Sequence, residues 1–173
     1  MDIQDFFQMC GGKWVSQRTT HHLIEQKNQS DRSDLWVDIL DPEHTEVVDL
    51  CKLYDLQSSQ AYGGLNIRWS EVAEAYQSRL KPRNEGSTLL VPILDPDFPN
   101  RGRILRKLNT NTALGTFSFG LDEALTIVLE SNGLVTEERM WFASPRPSNL
   151  RLRSSLVKKM ACLMPQRSVL KFE

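Results

Sequence analysis

Residues 138–155, Glu138-Arg139-Met140-Trp141-Phe142-Ala143-Ser144-Pro145-Arg146-Pro147-Ser148-Asn149-Leu150-Arg151-Leu152-Arg153-Ser154-Ser155, read as two period-two strands joined by a proline-rich corner. Successive side chains on a strand point to opposite sides of the sheet, so Asn149, Arg151, Arg153 and Ser155 share one face and Leu150, Leu152 and Leu156 the other. In the first strand Glu138, Met140 and Phe142 fall together, while Trp141 has the opposite parity and would need a bulge to join them. Two guanidinium forks two residues apart on a rigid strand suit bidentate capture of carboxylates. Leucines inward and arginines in solvent on a half-exposed strand would give the same pattern, so parity alone leaves both readings open.

Working outward, residues 2–10 repeat apolar side chains at three- to four-residue spacing and predict a short N-terminal helix stopped by Gly11-Gly12. Strands are predicted over 13–24 and 34–40. A second helix is expected from Asp41-Pro42-Glu43 to about Asp55, with Asp41 as its cap and Val47, Leu50, Cys51 and Tyr54 as its buried stripe. After Gly63-Gly64, read as a strand bend, the pattern is β throughout: about 65–70, 72–80, 87–94, 102–108, 112–119, 124–130, 134–143 and 149–157. Turn signals such as Asp95-Pro96-Asp97 and Ser131-Asn132-Gly133 separate them. About ten short strands in uninterrupted order favour a mainly β, antiparallel, up-and-down barrel, because closure removes exposed edges. Residues 1–173 then form a single domain large enough to enclose a ligand.

A net charge of -1, spread along the chain, argues against non-specific binding to nucleic acid or an anionic membrane. The three cysteines Cys10, Cys51 and Cys162 are far apart and form no C-x-x-C pair, so neither a disulfide framework nor a zinc site is signalled and a reducing compartment fits. No apolar run approaches the ~20 residues of a membrane helix, which predicts a soluble, cytoplasmic protein. His21 and His22 point to opposite faces of a strand and cannot share one metal. Nucleophile-elbow, Walker and dinucleotide-binding signatures are missing.

Three stretches together carry a resemblance. They are Trp14-x-Ser16-x-Arg18-Thr19-x-His21-His22-Leu23, then Gly86-Ser87-Thr88-Leu89-Leu90-Val91-Pro92-Ile93, then the 138–155 segment. In this order they resemble the S-type (CpcS/CpeS) phycobiliprotein lyases, from about Asp2 to Val157. The resemblance implies a lipocalin-like or fatty-acid-binding-protein-like barrel with the N-terminal helix lying across it. It also implies binding of a free bilin, phycocyanobilin or phycoerythrobilin, as substrate rather than permanent cofactor. The activity implied is assistance in thioether attachment of that bilin to a cysteine of an apo-phycobiliprotein subunit, in the cyanobacterial cytoplasm or plastid stroma. A bilin needs cations for its propionates, a carboxylate for its ring nitrogens and flat apolar walls. Arg18, Arg151 and Arg153 are the candidates for the propionates, with Ser155 on the same face. Glu138 with His21 or His22 is assigned to the nitrogens or to proton transfer, and Trp14, Trp69 and Trp141 to the walls. Trp36 is read as packing.

The chain departs from the family where a second tryptophan is usual, carrying Ala75 and Tyr76. Arg146-Pro147-Ser148 reads as an insertion, and the residues after Lys159 diverge. Some family members resemble partner subunits that work with an S-type chain, so a homodimer or heterodimer with a related chain is a further expectation. A carrier that holds a bilin without transferring it is the alternative reading.

Overall fold

The computed structural model describes residues 1–72, 84–95, 97–143 and 150–159. Most of the strand expected over 72–80, with Ala75 and Tyr76, lies outside the described residues, as do Asn149, the stretch from Arg146 to Ser148, Cys162 and the rest of the C-terminus.

Helix α1 (Ile3–Cys10) starts where the Asp2 carboxylate accepts a hydrogen bond from the Asp5 amide at 2.8 Å, satisfying an amide that a helix start leaves open. Its Ile3, Phe6, Phe7 and Cys10 form one buried stripe. Among the described residues nine strands follow: β1 (Gly12–His22), β2 (Lys27–Leu40), β3 (Gly64–Glu71), β4 (Glu85–Asp95), β5 (Phe98–Leu108), β6 (Asn111–Phe119), β7 (Leu125–Ser131), β8 (Leu134–Phe142) and β9 (Arg151–Lys159). Helix α2 (Thr45–Lys52) is inserted after β2. Each strand pairs antiparallel with the next, so the sheet is an unbroken meander from β1 to β9. The mainly β architecture with two helices is thus the expected one. No helix among the described residues is long and apolar enough to cross a membrane.

Among the described residues the nine strands curl into a half-barrel in which β1 and β9 share no ladder, in keeping with the expected lipocalin-like barrel. At the seam α1 joins the two edges through side chains. Arg151 of β9 donates to Cys10 Sγ at 3.1 Å, and the Trp14 indole of β1 donates to the Cys10 carbonyl at 2.7 Å. Basic side chains along both edges, Lys13 and Arg18 on β1 and Arg151, Arg153, Lys158 and Lys159 on β9, discourage further strand addition.

Among the described residues the concave face is packed beneath α1. There Phe6 packs on Phe119 and Phe142 at 5.8 and 5.2 Å between ring centroids, above a floor that includes Val37, Leu65, Ile104, Phe117, Ile127 and Met140. On the convex side α2 covers β4 and β5 through Val47, Leu50 and Cys51 against Leu89, Val91, Ile93 and Leu105. Helix α2 begins later than expected. Asp41 forms a turn by accepting from the His44 amide at 3.0 Å, and His44, not Asp41, is the cap. Gly63 is the bend: its φ is +110°, and a Cβ there would stand 2.3 Å from the Leu40 carbonyl oxygen. The β7–β8 turn is the expected Asn132-Gly133, both with positive φ as a type I′ hairpin requires.

Cys10 and Cys51 are free and buried. Burial pushes both thiols above their ordinary pKa, with Arg151 partly opposing the effect at Cys10. Because the folded value is raised, this contribution to stability is complete below the unfolded thiol pKa of about 8.5 and is lost as pH rises through the folded value. Urea midpoints should therefore fall above about pH 8.5, and the alkaline fall should be shallower in Cys10→Ala. Parallel pH profiles for the two proteins would refute this.

Candidate functional site

Register decides which side chains meet in the open half of the trough. Glu138 lies opposite Ile127 on one side and Ser155 on the other, Met140 opposite Arg153, and Phe142 opposite Arg151. Ile127 and Met140 belong to the core under α1, so this shared face is the concave one. The arginines of β9 therefore face the trough, not bulk solvent on the convex side.

Glu138 is only 8% exposed, an acid that burial would penalise without compensation. Compensation comes from two sides. Arg153 Nη2 donates to Glu138 Oε1 at 2.7 Å, and Arg106 Nη1 stands 3.8 Å from the same oxygen. Arg151 is fixed two residues below. Besides its contact to Cys10, its guanidinium lies 5.2 Å over the Trp14 ring, and Trp14 packs on Phe142 at 6.4 Å between centroids. Stacking and hydrogen bonding hold this fork in one orientation. Three guanidinium groups against one carboxylate leave an excess of two positive charges on the trough wall.

Trp69 also faces the trough, half-buried on β3. Its indole lies over Gly86, where an added Cβ would meet Cζ2 at 2.3 Å, so the glycine of the Gly86-Ser87-Thr88 motif makes room for the ring. Gly86→Ala should displace the indole, shift tryptophan emission and lower stability by about 1 kcal/mol, the mild end of overpacking because a side chain can slide. Unchanged emission and midpoint would show the ring is not held there. Thr88, next along the same face of β4, has a buried Oγ1 with no hydrogen-bond partner among the described residues. Such a group is left for a ligand or water to satisfy.

The remaining sequence-predicted residues are not gathered into this cluster. Arg18 and His22 have trough-side parity with Trp14 but lie out along the β1–β2 hairpin, both exposed. Arg18 is engaged at 3.1 Å by Asp31, whose carboxyl is held below its usual range by hydrogen bonds from Gln29 and from Arg18. His21 lies on the opposite face, with Nδ1 2.8 Å from the Asn28 side-chain oxygen. Trp141 requires correction as a trough wall. The β7–β8 and β8–β9 registers run unbroken through it, no bulge turns it inward, and it stands on the convex face opposite Leu152 with Arg139 over its ring. Sequence reasoning missed Arg106, Cys10 and Thr88. A separate shallow groove, lined by Ile3, Phe7, Ile39, Tyr62 and Pro92, lies at the helix end, away from the charges.

Residues 2–166 match the CpeS-like protein family. A relative from Thermosynechococcus vestitus, "Chromophore lyase CpcS/CpeS", is 40% identical over 92% of this chain and 85% of its own length. "Phycocyanobilin lyase subunit CpcS" from Picosynechococcus sp. is 30% identical over 91% of this chain and 79% of its own. The solved structure of the S-type phycobiliprotein lyase CPES from Guillardia theta superposes with a TM-score of 0.77 at 26% identity, covering 92% of this chain and 84% of that one. With the family matched across nearly the whole chain and the fold shared with a solved relative, this protein belongs to the CpeS-like family of S-type phycobiliprotein lyases.

Proposed function

We propose that this chain binds a free bilin, phycocyanobilin or phycoerythrobilin, in the open half of the trough and assists its thioether attachment to a cysteine of an apo-phycobiliprotein subunit. The observation that carries the reading is the buried Glu138 held by Arg106 and Arg153, with Arg151 two residues along the same face of β9 beside the Trp14 ring. A bilin carries two propionates and a row of ring nitrogens, and so complements that arrangement. Arg151 and Arg153 bind the propionates, Trp14 and Trp69 flank the rings, and Glu138 faces the nitrogens. The names of the relatives, chromophore lyase and phycocyanobilin lyase subunit, support the same substrate class.

Attachment adds the acceptor thiolate to the ethylidene carbon of the bilin. The new carbon–sulfur bond forms, the displaced π electrons move into the conjugated system, and a proton is taken up there. No group leaves and no oxidant is needed. The nucleophile is the acceptor's cysteine; Cys10 and Cys51 of this chain are buried. The chain contributes orientation, exclusion of water and a positioned proton donor or acceptor at Glu138. The setting is the compartment in which phycobiliproteins are assembled, the cyanobacterial cytoplasm or plastid stroma.

The test is co-expression with a bilin pathway and each apo-phycobiliprotein subunit, with the chain alone and with a related S-type chain. Covalent colour on a denaturing gel that depends on this chain is the expected result. Bilin binding without covalent transfer to any subunit, with or without a partner chain, would replace the lyase by a carrier.

A further inference from the structure

On β5, Gly102, Ile104, Arg106 and Leu108 face the trough. Arg106 is paired in register with Leu90 and Ala113, both buried, and its side chain is 21% exposed. A guanidinium in such surroundings is tolerated only beside a compensating charge, and that charge is Glu138. The two arginines meeting Glu138 Oε1 do so unequally. Arg153, with its side chain 54% exposed, holds the hydrogen bond at 2.7 Å, whereas the more buried Arg106 stands back at 3.8 Å. The tighter contact belongs to the side chain with more freedom to leave.

We infer that Arg106 is a positioning residue, the resident counter-charge that keeps Glu138 compensated and aimed into the trough when Arg153 turns to a ligand carboxylate. This rests on the reading of the trough as a bilin site. If Arg153 alone compensated Glu138, its departure would strand a buried carboxylate, a heavily penalised state. Ligand capture and a charged Glu138 would then exclude one another. With Arg106 in place both hold: Arg153 pairs with a propionate, Arg106 closes the remaining gap to Oε1, and Glu138 accepts from the ring nitrogens of the chromophore. No bond to carbon is made or broken in this exchange.

The experiment uses the full chain and free phycocyanobilin, titrated by absorbance, with Arg106→Met, Arg106→Lys, Glu138→Gln and the Arg106→Met/Glu138→Gln double variant. Arg106→Met is expected to weaken binding about tenfold, the scale of one charge-assisted contact, and to shift the absorption band of the bound bilin. Arg106→Lys should restore most of both. In the Glu138→Gln background, Arg106→Met should produce no further band shift, because the group it positions is gone. A purely structural arginine would shift affinity in both backgrounds alike and leave the band in place. Arg106→Met with the wild-type band overturns the inference, as does a lysine variant no better than methionine. Should Arg106→Met fail to fold, the lysine variant must still carry the wild-type band, and a shifted band there overturns the role. A wild-type chain that binds no phycocyanobilin overturns the site reading itself, and this role with it.

Discussion

Glutamine at position 138 will leave a folded, bilin-binding protein whose transfer of bilin to an acceptor cysteine is slower by at least about tenfold, below or within the range that a positioned acid–base group contributes. The amide keeps the shape of the carboxyl, and its oxygen can still accept from Arg153 at the 2.7 Å position. What is lost is the charge and the ability to exchange a proton. Removing that charge leaves the three guanidinium groups less compensated, so the affinity for a dianionic ligand should hold or rise while the chemistry falls. This opposition separates Glu138 from a residue that merely supports the fold, whose loss would lower both. Affinity is read by absorbance titration and thioether formation by zinc-induced fluorescence on a denaturing gel, from one preparation. Transfer at the wild-type rate would remove Glu138 from the chemistry.

How far the sequence foretold this arrangement varies strand by strand, for physical reasons. The arginines of β9, a strand exposed on both faces beyond Arg151, are assigned to the trough only by their register against β8; Glu138 was legible because β8 alternates, so parity alone separates Glu138, Met140 and Phe142 from Trp141. Arg106 was not. Strand β5 is apolar on both faces, Ile104 toward the trough and Leu105 toward α2, so nothing in the alternation marks Arg106 as inward and its neighbours Arg103 and Lys107 as outward. The first half of β2, Lys27-Asn28-Gln29-Ser30-Asp31-Arg32-Ser33, has no apolar alternation at all. It is a strand because its backbone pairs with β1 from His22 to Ser16, and a pairing of that kind leaves no trace in hydropathy. The seam follows the same logic. Edges bearing lysine and arginine are protected against further pairing, and Cys10 at the end of α1 ties side chains of β1 and β9 together, a contact no hydropathy pattern announces.

Alanine at both Arg151 and Arg153 should give the largest loss of bilin affinity, on the order of 3 kcal/mol or more if each single change removes roughly 1.5–3 kcal/mol of charge-assisted contact. That is a hundredfold or more in Kd. The single variants should differ in character. Among the described residues Arg153 is tied to Glu138 alone, so Arg153→Ala deletes a ligand contact and also lessens the compensation of a buried acid that Arg106 still faces. Arg151 is built into the seam, stacked over Trp14 and bonded to Cys10, so Arg151→Ala should also lower folding stability. Arg151→Lys should recover the stability only in part and the affinity less, because an ammonium can neither lie flat on an indole nor offer two parallel donors to a propionate. Urea denaturation without ligand measures the first quantity and absorbance titration with phycocyanobilin the second. If the double variant binds bilin as tightly as the wild type, the arginines of β9 serve the fold alone, and the excess positive charge of the trough must answer to a different ligand.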